Sequence, residues 1–496
     1  MLKRRMLALA ATAAMVATSV PMVAMADEEV EKPEKITIMV DGTVFTQANG
    51  RAEFEARWEE LTGIDLEIIQ PDHDAYYDVV GQTMAGGDWP DVIILSSTYY
   101  AGYAAEGVLW DMSEAYENSS LMERIEDQSV IDGLRMDGAL YGISPTRGNG
   151  CVTYVKKAWL DNCGLEAPTN YEEYLNMLNA FTTGDPDGNG VDGDTYAVSA
   201  AGLIGGEAPY VNYLPEFYQD AYPSFYKNEE GVWVDGFTED AMKEALQRLQ
   251  DAYEAGYIDK ESLTNGTKDC RNKFYEDKFG VFTYWAGTWA TNLKTNLEAN
   301  EVDSELIALP AIEETGAYFE RVAPTWCITE GCENPEGVFK YFIETMLDGG
   351  DMQFLWTYGV EGVHWSTAAE EVLGVTYEEG EFHMLENLET EGTLYTKAHI
   401  DPMLAVAPLD YDPKADAIPE ESRISTEVFN STKKQAQLVV STDEMSMLNG
   451  DLTTLKNEIV ALVVTNGMTV EEAYEKFEAD GGAAWSQEIV DSLNAK

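Results

Sequence analysis

The sequence predicts an α/β protein of two units with doubly wound sheets, and three observations carry that prediction. Residues 36–95 read strand, helix, strand, helix, strand; a second series of such signals begins near Tyr154; and about 470 residues behind an N-terminal export segment exceed what one hydrophobic core serves. Ile36-Thr37-Ile38-Met39-Val40 alternates with β-branched residues and predicts the first strand. Phe54, Trp58 and Leu61 recur at helical spacing over residues 52–61, and Gly63 closes that helix. Residues 64–69 predict the next strand, 76–85 a second helix and 91–95 a buried strand. Such an order implies a mostly parallel sheet, whose ligands bind beyond the carboxyl ends of its strands. Asp41, Gly42 and Thr43, and the segment 96–100 with Tyr99 and Tyr100, are therefore cleft candidates. In the second unit Thr169 and Glu172 form a capping box ahead of Tyr174, Leu175, Leu178 and Phe181, and Thr238 caps a helix running to Leu249. Residues 280–285 and 306–309 predict strands, and Thr469 with Glu472 makes another capping box. Residues 323–350 predict a further strand and helix that fit either unit, and 405–421 is a Pro/Asp-rich loop.

Lys3, Arg4 and Arg5 precede an apolar run over residues 6–23, and Ala24-Met25-Ala26 is a small-x-small cleavage site, so residues 1–26 predict a signal peptide and an exported protein. The competing reading, a membrane anchor, is opposed by Pro21 and the Thr and Ser residues inside the run. No cysteine stands near the cleavage site to carry a lipid, which leaves a periplasmic or otherwise surface-retained protein. Acidic residues number 90 against 31 basic, a net charge of −59, and loss of the signal's three basic residues makes it −62. Such a surface repels nucleic acid and anionic lipid and favours cations. Five cysteines are too few and scattered for a disulfide framework; Cys327 and Cys332 either close a small loop or serve as buried hydrophobes.

The run from Asp185 to Asp194 places side-chain oxygens at alternating positions around glycines, as a calcium loop requires. Asp185, Asp187 and Asn189 read as side-chain ligands, Val191 as a carbonyl donor and Asp194 as the closing carboxylate. It is not an EF-hand, since Tyr196 stands at the twelfth position, and a metal-free Asx/Gly turn is the alternative.

Several motifs, in order, resemble the family 1 extracellular solute-binding proteins of carbohydrate ABC importers, within them the large oligosaccharide binders that include the alginate-oligosaccharide proteins. They are Ala85-Gly-Gly-Asp-Trp-Pro-Asp91-Val-Ile, Met136-Asp-Gly-Ala-Leu-Tyr141-Gly-Ile-Ser-Pro145, Val155-Lys-Lys-Ala-Trp-Leu-Asp161, Asn334-Pro-Glu336 and Gly359-Val-Glu-Gly-Val-His364-Trp365. The resemblance implies a two-lobed periplasmic-binding-protein-like fold that closes on a sugar by hinge motion, with lobe 1 at 35–152 and 328–350 and lobe 2 at 153–327 and 351–496. It implies a monomer that delivers an oligosaccharide to a membrane permease, with a structural Ca2+ held away from the sugar. Asp185, Asp187, Asn189 and Val191 match the family's loop; Gly193 stands where an acid is usual, so Asp192 competes with Asp194 as the last ligand.

A sugar cleft combines aromatic rings for C–H faces with planar polar groups for hydroxyls. Tyr284-Trp285-Ala286-Gly287-Thr288-Trp289 is the densest such cluster, and the resemblance turns it toward the cleft, although one Trp can equally pack in the core. Trp356, Tyr358, Glu361, His364 and Trp365 form a second cluster, with Gly359 and Gly362 permitting a tight backbone. Arg147 follows the first crossover and either meets a hydroxyl or carboxylate of the ligand or forms a surface salt bridge. Because Arg147 is the main basic residue near these clusters in the sequence, a neutral or partly acidic sugar is expected. A secreted calcium-dependent glycoside hydrolase and a binder of peptides or metal chelates are the competing readings; no Gly-x-Ser-x-Gly elbow, zinc signature or phosphate loop supports an enzyme.

Overall fold

The computed structural model describes residues 30–41, 50–72, 75–204, 213–385 and 402–495, so the export segment and Gly42 and Thr43 of the predicted cleft lie outside it. In the first lobe β1 (Lys35–Met39) pairs in parallel with β2 (Asp65–Ile69) and β3 (Val92–Leu95), and β11 (Thr325–Ile328) returns antiparallel beside β3. All four residues of β3 and of β11 are buried, the apolar run expected of strands covered on both faces. The helix Arg51–Thr62 buries Phe54 and Trp58, and Gly63 at φ 66° ends it by donating to the Glu59 carbonyl.

The second lobe is organised on β5 (Tyr196–Val198), β8 (Phe279–Trp285), β4 (Cys151–Lys156) and β9 (Leu306–Leu309), in that order. Only β5 and β8 are parallel; β4 runs against both β8 and β9, so this sheet is mixed. The long helix Asp443–Asn466 packs on Asp240–Glu254 and on Gly482–Asn494, burying Leu452, Ile459 and Val463. A hairpin of β6 (Phe225–Lys227) and β7 (Trp233–Asp235) joins this lobe, while β10 (Tyr318–Glu320) pairs with β16 (Lys433–Gln435). Outside the main sheets β12 (Trp365–Ser366) pairs with β15 (His383–Met384), and β13 (Glu370–Val372) with β14 (Val375–Tyr377).

Several sequence expectations shift. The cap of helix Tyr171–Thr183 is Asn170, whose side chain accepts from Glu173 N–H, while Glu173 reaches back to Thr169; the box lies one residue later than expected. Thr238 belongs to a short turn ahead of helix Asp240–Glu254 and bonds the Asp235 carbonyl instead of capping. The segment 323–350 joins the first lobe. Met352, Leu355 and Trp356, and Val406 and Ala407, are buried in that same core, so a boundary at 351 falls too early. Cys327 and Cys332 are unbridged, and Cys327 is fully buried as a small hydrophobe.

Two large cores thus exist, beside a small cluster around Tyr358 and Met384, and the chain passes between the two on neighbouring crossings. Arg147 N–H donates to Leu404 O at 2.6 Å, Val406 N–H to Pro145 O at 3.1 Å and Arg321 N–H to Asn149 O at 3.1 Å. A Cβ on Gly148 would sit 1.3 Å from the Arg321 carbonyl oxygen, so this crossing admits no side chain.

Candidate functional site

β8 ends at Trp285, whose Cα pairs with Cys151 where β4 emerges from the first crossing. Gly287, at φ 74° and ψ −128°, takes a backbone conformation that side-chain-bearing residues avoid, and it redirects the chain into helix Thr288–Ala299 with Trp289 in the first turn. Trp285 and Trp289 are both half-buried, packed against the second core with part of each ring open. The Arg321 guanidinium lies over the Trp285 ring, 4.6 Å from its centroid, and that of Arg271 over Trp289 at 4.9 Å. Tyr284 meets Trp289 edge-on at 4.9 Å and accepts a hydrogen bond from Arg271 Nη1 at 3.2 Å. Asn149, at φ 56°, donates through Nδ2 to Ala286 O and so joins this turn to the crossing. Arg271 and Arg321 correct the expectation that Arg147 is the main basic residue here. They stand 18 residues before and 36 after Trp289 and Trp285, too far for linear reading, and it is tertiary packing that brings them onto the rings.

From the first lobe, Tyr99 is 39% exposed and stacks flat on Tyr77, centroids 3.9 Å apart and planes 7° from parallel. Burial raises the Tyr77 hydroxyl above its ordinary pKa, partly countered by hydrogen bonding to Ser96. Asp41 is half-buried at the end of β1, its carbonyl accepting from Gln70. Tyr100, one residue on from Tyr99, is turned fully into the core and donates to Leu134 O at 2.6 Å, which removes it from the ligand candidates.

Most of the second aromatic cluster is core. Trp356 is fully buried among Phe54, Trp326 and Phe342, with centroids at 5.1, 5.7 and 5.7 Å, and offers no face to a ligand. Tyr358 is buried and bonded to Asp412; His364 is buried with Nδ1 accepting from Val360 N–H at 2.8 Å. Gly359 is needed because a Cβ there would come within 2.5 Å of His364 Nδ1, a close approach to protein and not to ligand. Trp365 keeps a half-exposed ring packed on Phe354 and Phe382, and Glu361 is exposed. Arg147 resolves to the salt-bridge reading: its guanidinium is held by Asp127. A groove of about 790 Å³ between Tyr141 of the first lobe and Trp233 and Gln437 of the second contains none of the predicted residues.

In the loop from Asp185 the Asn189 side-chain nitrogen donates to Asp187 at 2.8 Å and to Asp194 at 2.9 Å, which draws Asp194 into the turn, while Asp192 and Asp194 are both exposed. Asp185 Oδ2 accepts from Gly190 N–H, while its Oδ1 is buried with no hydrogen-bond partner. Val191 N–H donates to Asn189 Oδ1. Burial, with Asp185 and Asp194 close by, raises the Asp187 carboxyl above its ordinary pKa. The donor set is all oxygen apart from the bridging amide nitrogen, and the orphaned Asp185 oxygen suits a hard cation. As arranged, however, no group of three or more His, Cys, Asp or Glu among the described residues has metal-holding geometry.

Residues 45–347 match the family model for bacterial extracellular solute-binding proteins. Lipoprotein LipO of Bacillus subtilis (strain 168) is 26% identical over 54% of this chain and 53% of its own length. The polygalacturonan/rhamnogalacturonan-binding protein YtcQ of the same organism is 24% identical over 62% of each. The chain therefore spans about half to three fifths of these relatives. Among solved structures, an HMO-binding ABC-transporter-associated solute-binding protein of Bifidobacterium longum infantis ATCC 15697 has a TM-score of 0.64 at 17% identity, covering 94% of this chain and 98% of that one. Among the described residues no helix is long and apolar enough to cross a membrane.

Proposed function

The chain belongs to the bacterial extracellular solute-binding proteins, and from that premise we propose that it binds an oligosaccharide reversibly between its lobes and delivers it to an ABC permease without turnover. The observation that carries the sugar reading is the pair of half-open indoles at the glycine turn after β8, each braced by a guanidinium. Indoles take the C–H faces of sugars, and the neighbouring amide and guanidinium groups supply planar donors for hydroxyls. Tyr99 stacked on Tyr77, with Asp41 at the strand end, is the first lobe's contribution, and the exposed Glu361 and the edge of Trp365 add to it from the small cluster around Tyr358 and Met384. The names of the polygalacturonan/rhamnogalacturonan-binding and HMO-binding relatives support the same class of ligand.

Replacing both Trp285 and Trp289 by Ala tests this reading. In a thermal-shift and calorimetric panel of oligosaccharides the parent is expected to gain stability with one sugar class through binding linkage, and the double variant to lose that gain while still unfolding cooperatively. Sustained release of shortened sugars by the pure protein would overturn it.

A second reading concerns the Asp185 loop, which holds a structural Ca2+ apart from the sugar. The buried, unpartnered Asp185 Oδ1 favours it, as does the clustering of Asp185, Asp187 and Asp194. Asp185, Asp187, Asn189, Val191 and Asp194 would supply the oxygens, the Asn189 amide turning its oxygen toward the ion.

A further inference from the structure

The chain carries nearly three acidic side chains for each basic one. Most of the cations whose surroundings are described accordingly find carboxylates: on helix Thr267–Tyr275, Lys273 takes both Asp259 at 2.8 Å and Glu261 at 2.6 Å. Arg271, half a turn away on the same helix, makes no ion pair among the described residues. It is half-buried, lies over Trp289 and spends one N–H on the Tyr284 hydroxyl. Among the described residues this arginine, in so acidic a protein, is held by two aromatic rings and one tyrosine hydroxyl and by no carboxylate. Stacking engages the flat face of a guanidinium and leaves the N–H groups in its plane, a fork that matches a carboxylate with two parallel hydrogen bonds. Trp285, four residues earlier, carries a second stacked guanidinium, that of Arg321.

Resting on the oligosaccharide reading above, we infer that the Trp285–Trp289 turn is a subsite for a uronic acid: the indoles pack the apolar face of the sugar and Arg271 takes its carboxylate. The net charge of the molecule does not oppose this. Charges farther than about 8 Å are screened at physiological salt, whereas a half-buried guanidinium beside low-dielectric aromatic rings is not. The sequence-based expectation of a neutral or only partly acidic ligand took Arg147 as the main nearby cation; Arg271 and Arg321 place two more at the rings, and the uronate subsite weights the ligand toward the acidic side of that expectation.

Calorimetry with short oligomers of galacturonic, mannuronic and guluronic acid, each compared with its carboxyl-reduced neutral counterpart, tests the inference on the parent, Arg271→Gln and Arg271→Lys. At least one acidic oligomer is expected to bind the parent about tenfold or more tightly than its reduced form, the scale of one charged hydrogen bond. Arg271→Gln should bring that ratio close to one, and Arg271→Lys, which keeps the charge without the fork, should restore it only in part. Unfolding midpoints near that of the parent would show that both variants are folded. Equal or better binding of the reduced forms, binding of neutral oligosaccharides alone, or a preference that survives Arg271→Gln would each overturn the uronate subsite and leave the sugar-binding function standing. Failure of every acidic and neutral oligosaccharide to bind would instead sink the function on which the subsite rests.

Discussion

Glu216 is an acid whose environment is at odds with its chemistry. It lies fully buried under the second sheet, one oxygen accepting from Thr153 at 2.6 Å and the other without a partner, beside the similarly unpartnered Tyr174 hydroxyl. Burial pushes its carboxyl up to about 7, with the Thr153 hydroxyl offsetting only part of the cost. A raised carboxyl favours the folded state while protonated, so its contribution is fully present below about pH 4.5, is lost as pH rises through about 7, and amounts to something on the order of 3 kcal/mol. Glu216→Gln removes that dependence. The stability of the variant minus that of the parent, from urea unfolding, is expected to grow in the variant's favour between pH 5 and pH 8; a difference constant across that range would contradict the assignment. Nothing in the sequence singled out Glu216 among 90 acids, because burial is a tertiary property. The same limit explains Tyr100 and Trp356, which read as cleft aromatics because a core ring and a ligand-stacking ring are identical in sequence.

Elements were more legible than residues. β1, β2, β3 and β8 and the helices Arg51–Thr62 and Tyr76–Gly86 follow from local periodicity, and the Thr469–Glu472 capping box stands as the spacing predicted it. The caps at Thr169 and Thr238 moved because local side chain to backbone bonds won: Asn170 accepts from Glu173 N–H, and Thr238 turns its hydroxyl back to the Asp235 carbonyl while the Asp235 side chain accepts from Phe237 N–H. The Asp185 loop is where sequence spacing and geometry combine. Its carboxylates crowd a single turn with one oxygen unpaired, so a cation there would relieve repulsion as well as complete the hydrogen bonding. Chelation is expected to lower the unfolding midpoint of the parent, and Asp187→Ala to abolish that sensitivity. Added Ca2+ should restore the parent and leave the variant unchanged. A midpoint indifferent to chelator in the parent would make this a metal-free turn.

At the scale of the molecule, two cores meet through thin crossings whose hydrogen bonds are many and whose apolar contacts are few, an arrangement suited to hinge movement. One ionic cluster spans them. Asp127 of the first lobe bonds Arg147 on the first crossing and stands 3.4 Å from Lys433 on β16, which in turn pairs with the buried Glu320 at the end of β10. Burial works against the charge on Asp127, but hydrogen bonds from Ser129 and Arg147 and the Lys433 charge outweigh it and hold the carboxyl well below the usual carboxylate range. A depressed carboxyl stabilises the fold above its unfolded pKa of about 4, and that stabilisation is lost as pH falls toward the folded value. Asp127→Asn should therefore be less stable than the parent at pH 7, with the gap narrowing as pH drops below about 4, the opposite sign to Glu216. Because the cluster ties one lobe to the other, the variant's small-angle scattering without sugar should also depart from the parent's at pH 7, toward a broader distribution of interlobe distances. Identical scattering with a simple loss of stability would mean that Asp127 anchors its own loop and leaves the hinge to the crossings.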